Sequence, residues 1–265
     1  MFSVLFPENV GQQYWKIHYQ YVLNILEYLK CDVYFAKGMD VSSTSFKCSI
    51  NNKKFVFDFS DSSVINADVL ACNLPIFKFH TKKEDLDKVI PFSPVSFYNW
   101  SDYWVNQLTV QYKHGLYVAN RQRAYGNAVE RRKSVKTLLE SKFGANLRSS
   151  VVPQDQFWKE IPDLLVSVCI PGQNNNMVDR GQLEYFGFGC CTISPNLPEI
   201  LPFNTKIEPN VHYLECYNDY SNLLEVIDIA MRHRENCIEV GQNAKKLFQD
   251  TCTPERLGEW IKLHL

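Results

Sequence analysis

Leu164-Leu165-Val166-Ser167-Val168-Cys169-Ile170-Pro171-Gly172-Gln173-Asn174-Asn175-Asn176-Met177-Val178-Asp179-Arg180-Gly181-Gln182-Leu183-Glu184-Tyr185-Phe186-Gly187-Phe188-Gly189-Cys190-Cys191-Thr192-Ile193-Ser194-Pro195 is the stretch on which the fold turns. A short apolar run, Leu164 to Ile170, stops at Pro171-Gly172; a polar loop follows, and then a helical segment from about Asp179 to Phe188. A second apolar run, Cys190 to Ile193, comes directly after it. Apolar runs of this length between turn residues read as buried strands. The unit is strand, loop, helix, strand, which builds open α/β sheets that bind ligands at the carboxyl ends of their strands.

The same rhythm extends to both sides. Upstream lie a strand over Gly115 to Ala119, a helix over Val129 to Lys142 ending at Phe143-Gly144, and a strand near Leu147 to Val152. Downstream come a strand near Val211 to Leu214 and helices over Tyr220 to Arg234 and Asn236 to Gln249. A last helix is announced by Thr253 as N-cap and Pro254 at its first position. In the first hundred residues, Phe2 to Phe6 reads as a strand, and Tyr19, Val22, Leu23, Leu26 and Leu29 fall at helical spacing. Strands follow at Cys31 to Ala36, Lys54 to Phe59, around Val69 and Leu70, and at Ile76 to Phe79. The proline- and aromatic-rich stretch from Pro91 to Trp104 reads as a connection, with Tyr98, Trp100, Tyr103 and Trp104 able either to stack on sugars or to pack between domains. The expected organisation is therefore α/β, with two Rossmann-like domains facing a central cleft: residues 1–105, residues 106–250, and a C-terminal helix in 251–265 that packs back towards the first domain.

Composition narrows the function classes. With 265 residues, 45% hydrophobic and 22% charged, the chain is a folded protein. Nine cysteines scattered from Cys31 to Cys252, without a C-x-x-C pair, encode neither a disulfide framework nor a cysteine zinc site and suit a reducing compartment. A balance of 28 basic and 29 acidic residues gives −1, without the excess of a nucleic-acid binder. No run approaches the roughly 20 apolar residues of a membrane span, so a cytoplasmic protein is expected.

Chemistry concentrates in two loops. In the quoted stretch, Gly172 and Asn176 belong to a polar loop that opens a helix, a place where free backbone N–H groups and the helix dipole favour an anion. Arg180 adds a bidentate cation, and Glu184 follows one turn later on the same face. The pair reads either as phosphate and ribose ligands or as a surface ion pair. The loop Asn120-Arg121-Gln122-Arg123-Ala124-Tyr125-Gly126-Asn127 follows a strand, where Arg121 and Arg123 can neutralise phosphates. Arg131, Arg132 and Lys133 read as the solvated face of the next helix.

A general base is sought in the first domain: Asp61, then Asp58, both ending a hydrophobic strand, with Glu8 and His18 as further candidates. His18 fits a packed core imidazole equally well. His80, His114, His212, His233 and His264 show no metal-ligand spacing, so no metal site is expected. The first strand runs into Phe6-Pro7-Glu8-Asn9-Val10-Gly11 and lacks the G-x-G-x-x-G of dinucleotide enzymes.

The run Arg180-x-x-x-Glu184-Tyr-Phe-Gly-Phe-Gly189-Cys-Cys-Thr-Ile-Ser resembles the R-x-x-x-E-A-x-x-x-G-x-x-(V/I)-I segment in the donor domain of GT-B glycosyltransferases, exostosin-like and virus-encoded (chlorovirus-type) ones in particular. Tyr217 to Ile227, Gly241 to Phe248 and Phe57-Asp58-Phe59-Ser60-Asp61 resemble further segments of such enzymes. The resemblance implies a transferase moving a sugar from a nucleotide-sugar donor, a UDP-sugar such as UDP-xylose ahead of a GDP-sugar, to an oligosaccharide or glycoprotein glycan. It implies no cofactor beyond the co-substrate, no required metal, and, for a viral protein, the host cytoplasm. Retaining relatives carry two glutamates eight positions apart; the second corresponds to Glu184 and the first falls on Asn176, so inversion is expected. A non-catalytic nucleotide-sugar or glycan-binding protein is the alternative.

Overall fold

Aromatic and β-branched alternation in the first hundred residues builds a mixed sheet. The computed structural model describes residues 2–8, 13–93 and 115–265, so the connection carrying Tyr98, Trp100, Tyr103 and Trp104, and the expected boundary near residue 105, lie outside the described residues. The chain divides into two units, one of Met1–Ser101, Glu199–Lys206 and Asp250–Leu265, the other of Asp102–Pro198 and Ile207–Gln249.

In the first unit, β1 (Ser3–Pro7) is followed by helix α1 (Gln13–Tyr28) and strands β2 (Asp32–Ala36), β3 (Asp40–Ser42), β4 (Ser45–Ile50), β5 (Lys53–Asp58), β6 (Ile76–Lys78) and β7 (Ile90–Pro91). Their order is β2-β1-β4-β5-β6-β7, with β3 on β4. The pairs β1/β2, β5/β6 and β6/β7 are parallel, while β4 runs against β1, β3 and β5. The expected Rossmann-like sheet is thus interrupted by an antiparallel strand in a stretch where no strand was expected. Its cause is local: Asn51 and Asn52 both adopt positive φ, 50° and 67°, and join β4 to β5 as a two-residue hairpin. The expected strand at Val69 and Leu70 is instead helix α2 (Ala67–Ala71), because Asn66 caps it by accepting from the Asp68 N–H and only Val69 is buried. The core is aromatic, with Phe46, Phe77 and Phe92 buried around Phe57 and the Phe57 and Phe77 ring centroids 5.0 Å apart.

The second unit holds a five-stranded parallel sheet of β8 (Tyr117–Ala119), β9 (Leu147–Arg148), β10 (Leu164–Val168), β11 (Thr192–Ser194) and, after the hairpin β12 (Ile200–Leu201) and β13 (Thr205–Lys206), β14 (Leu214–Glu215). Helices α3 (Val129–Phe143), α4 (Gln154–Glu160), α5 (Arg180–Phe188), α6 (Leu223–Arg232) and α7 (Arg234–Thr251) accompany it. The spatial order β14-β11-β10-β8-β9 reverses between β8 and β10, and such a reversal opens a crevice at the carboxyl ends of the two strands. Helix α5 is buried from Gln182 to Phe188 and closes on Gly189 in the left-handed conformation (φ 79°). A Cβ on Gly241 of α7 would sit 2.1 Å from the Gly189 carbonyl oxygen, so these two backbones touch only because position 241 is glycine.

Two late segments complete the first unit. The β12/β13 hairpin follows Glu199, whose neighbour Ile200 donates its N–H to the Thr81 carbonyl at 2.8 Å. The last helix, α8 (Pro254–Lys262), is capped by the Thr253 hydroxyl and places Leu257, Trp260 and Ile261 in the aromatic core, where the Trp260 indole N–H donates to the Pro91 carbonyl at 2.7 Å.

Candidate active site

In the second unit both loops of interest leave the strands that flank the reversal: Asn120 to Asn127 follows β8, and Cys169 to Asp179 follows β10. They are laced together. The Asn120 amide donates to the Val168 carbonyl at 3.0 Å, and the Gln122 side-chain carbonyl accepts the Ile170 N–H. Arg132 donates to the Ile170 carbonyl at 3.2 and 2.7 Å, to the Arg123 carbonyl at 2.6 Å, and to the Asp179 carboxylate at 2.9 Å. Arg131 donates to the Gly172 carbonyl at 2.7 Å. The expectation of a solvated face is therefore corrected for these two arginines: Arg132 is buried, and together they tie down the loop carbonyls, while Lys133 is exposed.

Arg121 pairs through Nη2 with Glu160 of α4, and its side chain is only 7% exposed. Its Nη1 and the Gln122 Nε2 are buried donors with no hydrogen-bond partner among the described residues. A buried donor left unmade costs about 1–3 kcal/mol, so two of them at a sheet reversal mark a place for acceptor oxygens. Asn176 Oδ1 is likewise buried without a partner, whereas Gly172 is buried and Arg123 is exposed.

The start of α5 differs from the open anion site expected there. The Asp179 side chain caps it, accepting from the Gly181 N–H at 2.9 Å, so a carboxylate already sits on this N-terminus. Arg180 is 45% exposed and lies 3.8 Å from Glu184, whose carboxylate is 3% exposed and accepts from the Trp158 indole N–H at 2.9 Å. The pair is thus half surface, half interior. Helix α4, not among the elements expected from the sequence, supplies both Trp158 and Glu160 and so holds Glu184 and Arg121 in place; Pro153 followed by Asp155 in the first turn is its signal in the sequence.

In the first unit, Asp58 ends β5 and is fully buried, paired with Lys78 at 3.1 Å and accepting from the Ser60 N–H at 2.9 Å. Lys78 also donates to the Ser60 hydroxyl at 2.7 Å, and burial holds its ammonium below the ordinary lysine range against the pull of Asp58. His18 is 6% exposed and stacks on Phe59 with ring centroids 4.7 Å apart, the packed alternative weighed for it. Glu8 is exposed beyond β1, where its N–H donates to the Ala36 carbonyl. Asp61 is 32% exposed and lies 3.4 Å from Nε2 of His80, a residue that spacing alone did not single out. On its other side His80 hydrogen-bonds Glu199 through Nδ1. Burial pushes the His80 pKa down, but the charge and hydrogen bonds of Glu199 and Asp61 outweigh it and raise it to about 9. No helix among the described residues is long and apolar enough to cross a membrane.

No family model matches the chain, and no curated protein matches it in sequence. Among solved structures it is similar in fold to TarM, at a TM-score of 0.48 and 13% identity over 77% of this chain. The chain spans 47% of the TarM chain, about half of its length.

Proposed function

We propose that the protein is a glycosyltransferase of the GT-B kind, taking a sugar from a nucleoside diphosphate donor, a UDP-sugar first and UDP-xylose or a GDP-sugar within the same class, and delivering it to the hydroxyl of a glycan. The observation that supports it best is the buried pair of donors, Arg121 Nη1 and Gln122 Nε2, without a partner among the described residues at the reversal of a parallel sheet. Diphosphate oxygens satisfy such donors, and the negative charge they gain as the sugar–oxygen bond breaks strengthens the same hydrogen bonds, which is the differential binding that lowers a barrier. Arg180, exposed at the start of α5, reaches outward as a second cation, and Glu184 behind it orients that guanidinium.

In the first unit Asp61, whose carboxylate is partly exposed, takes the proton of the acceptor hydroxyl. The acceptor oxygen then forms its bond to the anomeric carbon as the donor oxygen leaves, in one displacement with inversion. Asp58 is closed in its ion pair with Lys78 and serves the turn rather than the proton. Because arginines supply the charge, turnover persists after chelation. Incubating the protein with labelled UDP- and GDP-sugars and analysing the product by NMR tests the reading. Transfer or hydrolysis with an inverted anomeric centre supports it, tight donor binding without turnover converts it to a binding protein, and a product with the donor's own configuration removes the single displacement.

A further inference from the structure

Strand β6 ends at Lys78, so Phe79 and His80 are the first residues beyond its carboxyl end, beside the turn that follows β5. There the imidazole is 2% exposed and stands between two carboxylates: Glu199, also 2% exposed, at Nδ1, and the partly exposed Asp61 at Nε2. A neutral imidazole has a single N–H and turns a lone pair towards one of its neighbours, whereas an imidazolium donates to both. Two carboxylates on opposite nitrogens therefore select the cation. Also near are the Lys78 ammonium, which pairs with Asp58 and feels Glu199 and Asp85, and the Phe79 ring, its centroid 4.2 Å from that of the imidazole.

We propose that His80 is a positioning residue: an imidazolium anchored on Glu199 that holds the Asp61 carboxylate beyond the carboxyl end of β5, ionised and aimed for proton removal from the acceptor. The use made of Asp61 rests on the glycosyl-transfer reading; the clamp does not. The proton balance is simple. The acceptor O–H bond breaks, its proton goes to the Asp61 carboxylate and its electron pair into the new sugar–oxygen bond, the old sugar–oxygen bond leaves with its pair on the diphosphate, and His80 keeps both N–H protons throughout.

Nitrogen-15 NMR of the full chain, titrated from acid to alkaline pH with the His80 signal assigned by His80→Gln, reads the clamp without any substrate. The expected spectrum has both ring nitrogens protonated at neutral pH and a midpoint near 9, falling in Glu199→Gln and in Asp61→Asn. A neutral imidazole at neutral pH in the native protein overturns the proposal, and that measurement needs no variant to fold. With a donor in hand, the alkaline limb of turnover follows the His80 midpoint and moves to lower pH with it in Glu199→Gln; a purely structural imidazole leaves the limb in place, and that result also overturns the proposal. A midpoint that falls in both variants in a protein that turns over no donor keeps the clamp and defeats the transfer reading instead.

Discussion

The guanidinium of Arg121 is spent only in part on Glu160, and its Nη1 remains buried without a partner among the described residues. A hydrogen bond to a charged group contributes about 1.5–3 kcal/mol, so Arg121→Gln is expected to weaken nucleoside diphosphate binding by roughly 10- to 150-fold in calorimetry, with the thermal unfolding curve little changed. Arg121→Lys does not restore it, since one ammonium cannot serve Glu160 and a ligand in the same fork. Glu184→Gln keeps an acceptor for Trp158 but releases Arg180, and a drop in donor affinity there without loss of fold places the pair at the ligand. The placement of Arg121 and Asp61 just beyond strand ends and of Arg180 and Glu184 on one helix face was legible in the sequence, because strand-end loops and i to i+4 spacing are local signals. His80 was not, since the Glu199 that gives it meaning lies 119 residues away.

At the scale of elements, the loops after β8 and β10 are held by α3, and Arg132 is the rivet. Removing one partner of a buried ion pair costs about 3–5 kcal/mol, so Arg132→Leu, which strands Asp179, is expected to lower the melting temperature on the order of 10 °C and to weaken donor binding with it. An unchanged melting temperature in calorimetry contradicts that role. Gly241→Ala drives a Cβ into the Gly189 carbonyl and is expected to cost about 1–3 kcal/mol by overpacking, in a denaturant titration, without any charge being touched. The parallel half of the fold was readable from its apolar runs and caps. What escaped was written in turn chemistry: Asn51-Asn52 makes the hairpin that admits β4, Asn66 turns an apparent strand at Val69 into a helix, and the solvated look of Arg131 and Arg132 hid carbonyls that only the folded loops bring within reach.

Across the whole molecule, each unit presents its own charged cluster at strand ends: arginines with carboxylate partners beside β8 and β10, and carboxylates with Lys78 and His80 beside β5 and β6. The imidazolium also makes stability depend on pH. Because the folded His80 pKa is raised from near 6.5 to about 9, its contribution is present in full below about 6.5 and is lost as the pH rises through about 9, on the order of 3 kcal/mol in all. Thermal unfolding followed over that window should show the fall, and Glu199→Gln should flatten it. Composition and rhythm disclosed the α/β class and the general order of elements, while the return of 199–206 and 250–265 into the first unit depends on long-range contacts that no window of sequence contains. The most direct test of the account is to incubate the native protein and Arg121→Gln with a panel of labelled UDP- and GDP-sugars and to measure release of the nucleoside diphosphate. The native protein is expected to consume at least one donor, and Arg121→Gln to lose most of that turnover at subsaturating donor; a native protein that neither binds nor consumes any of them contradicts a role in sugar transfer.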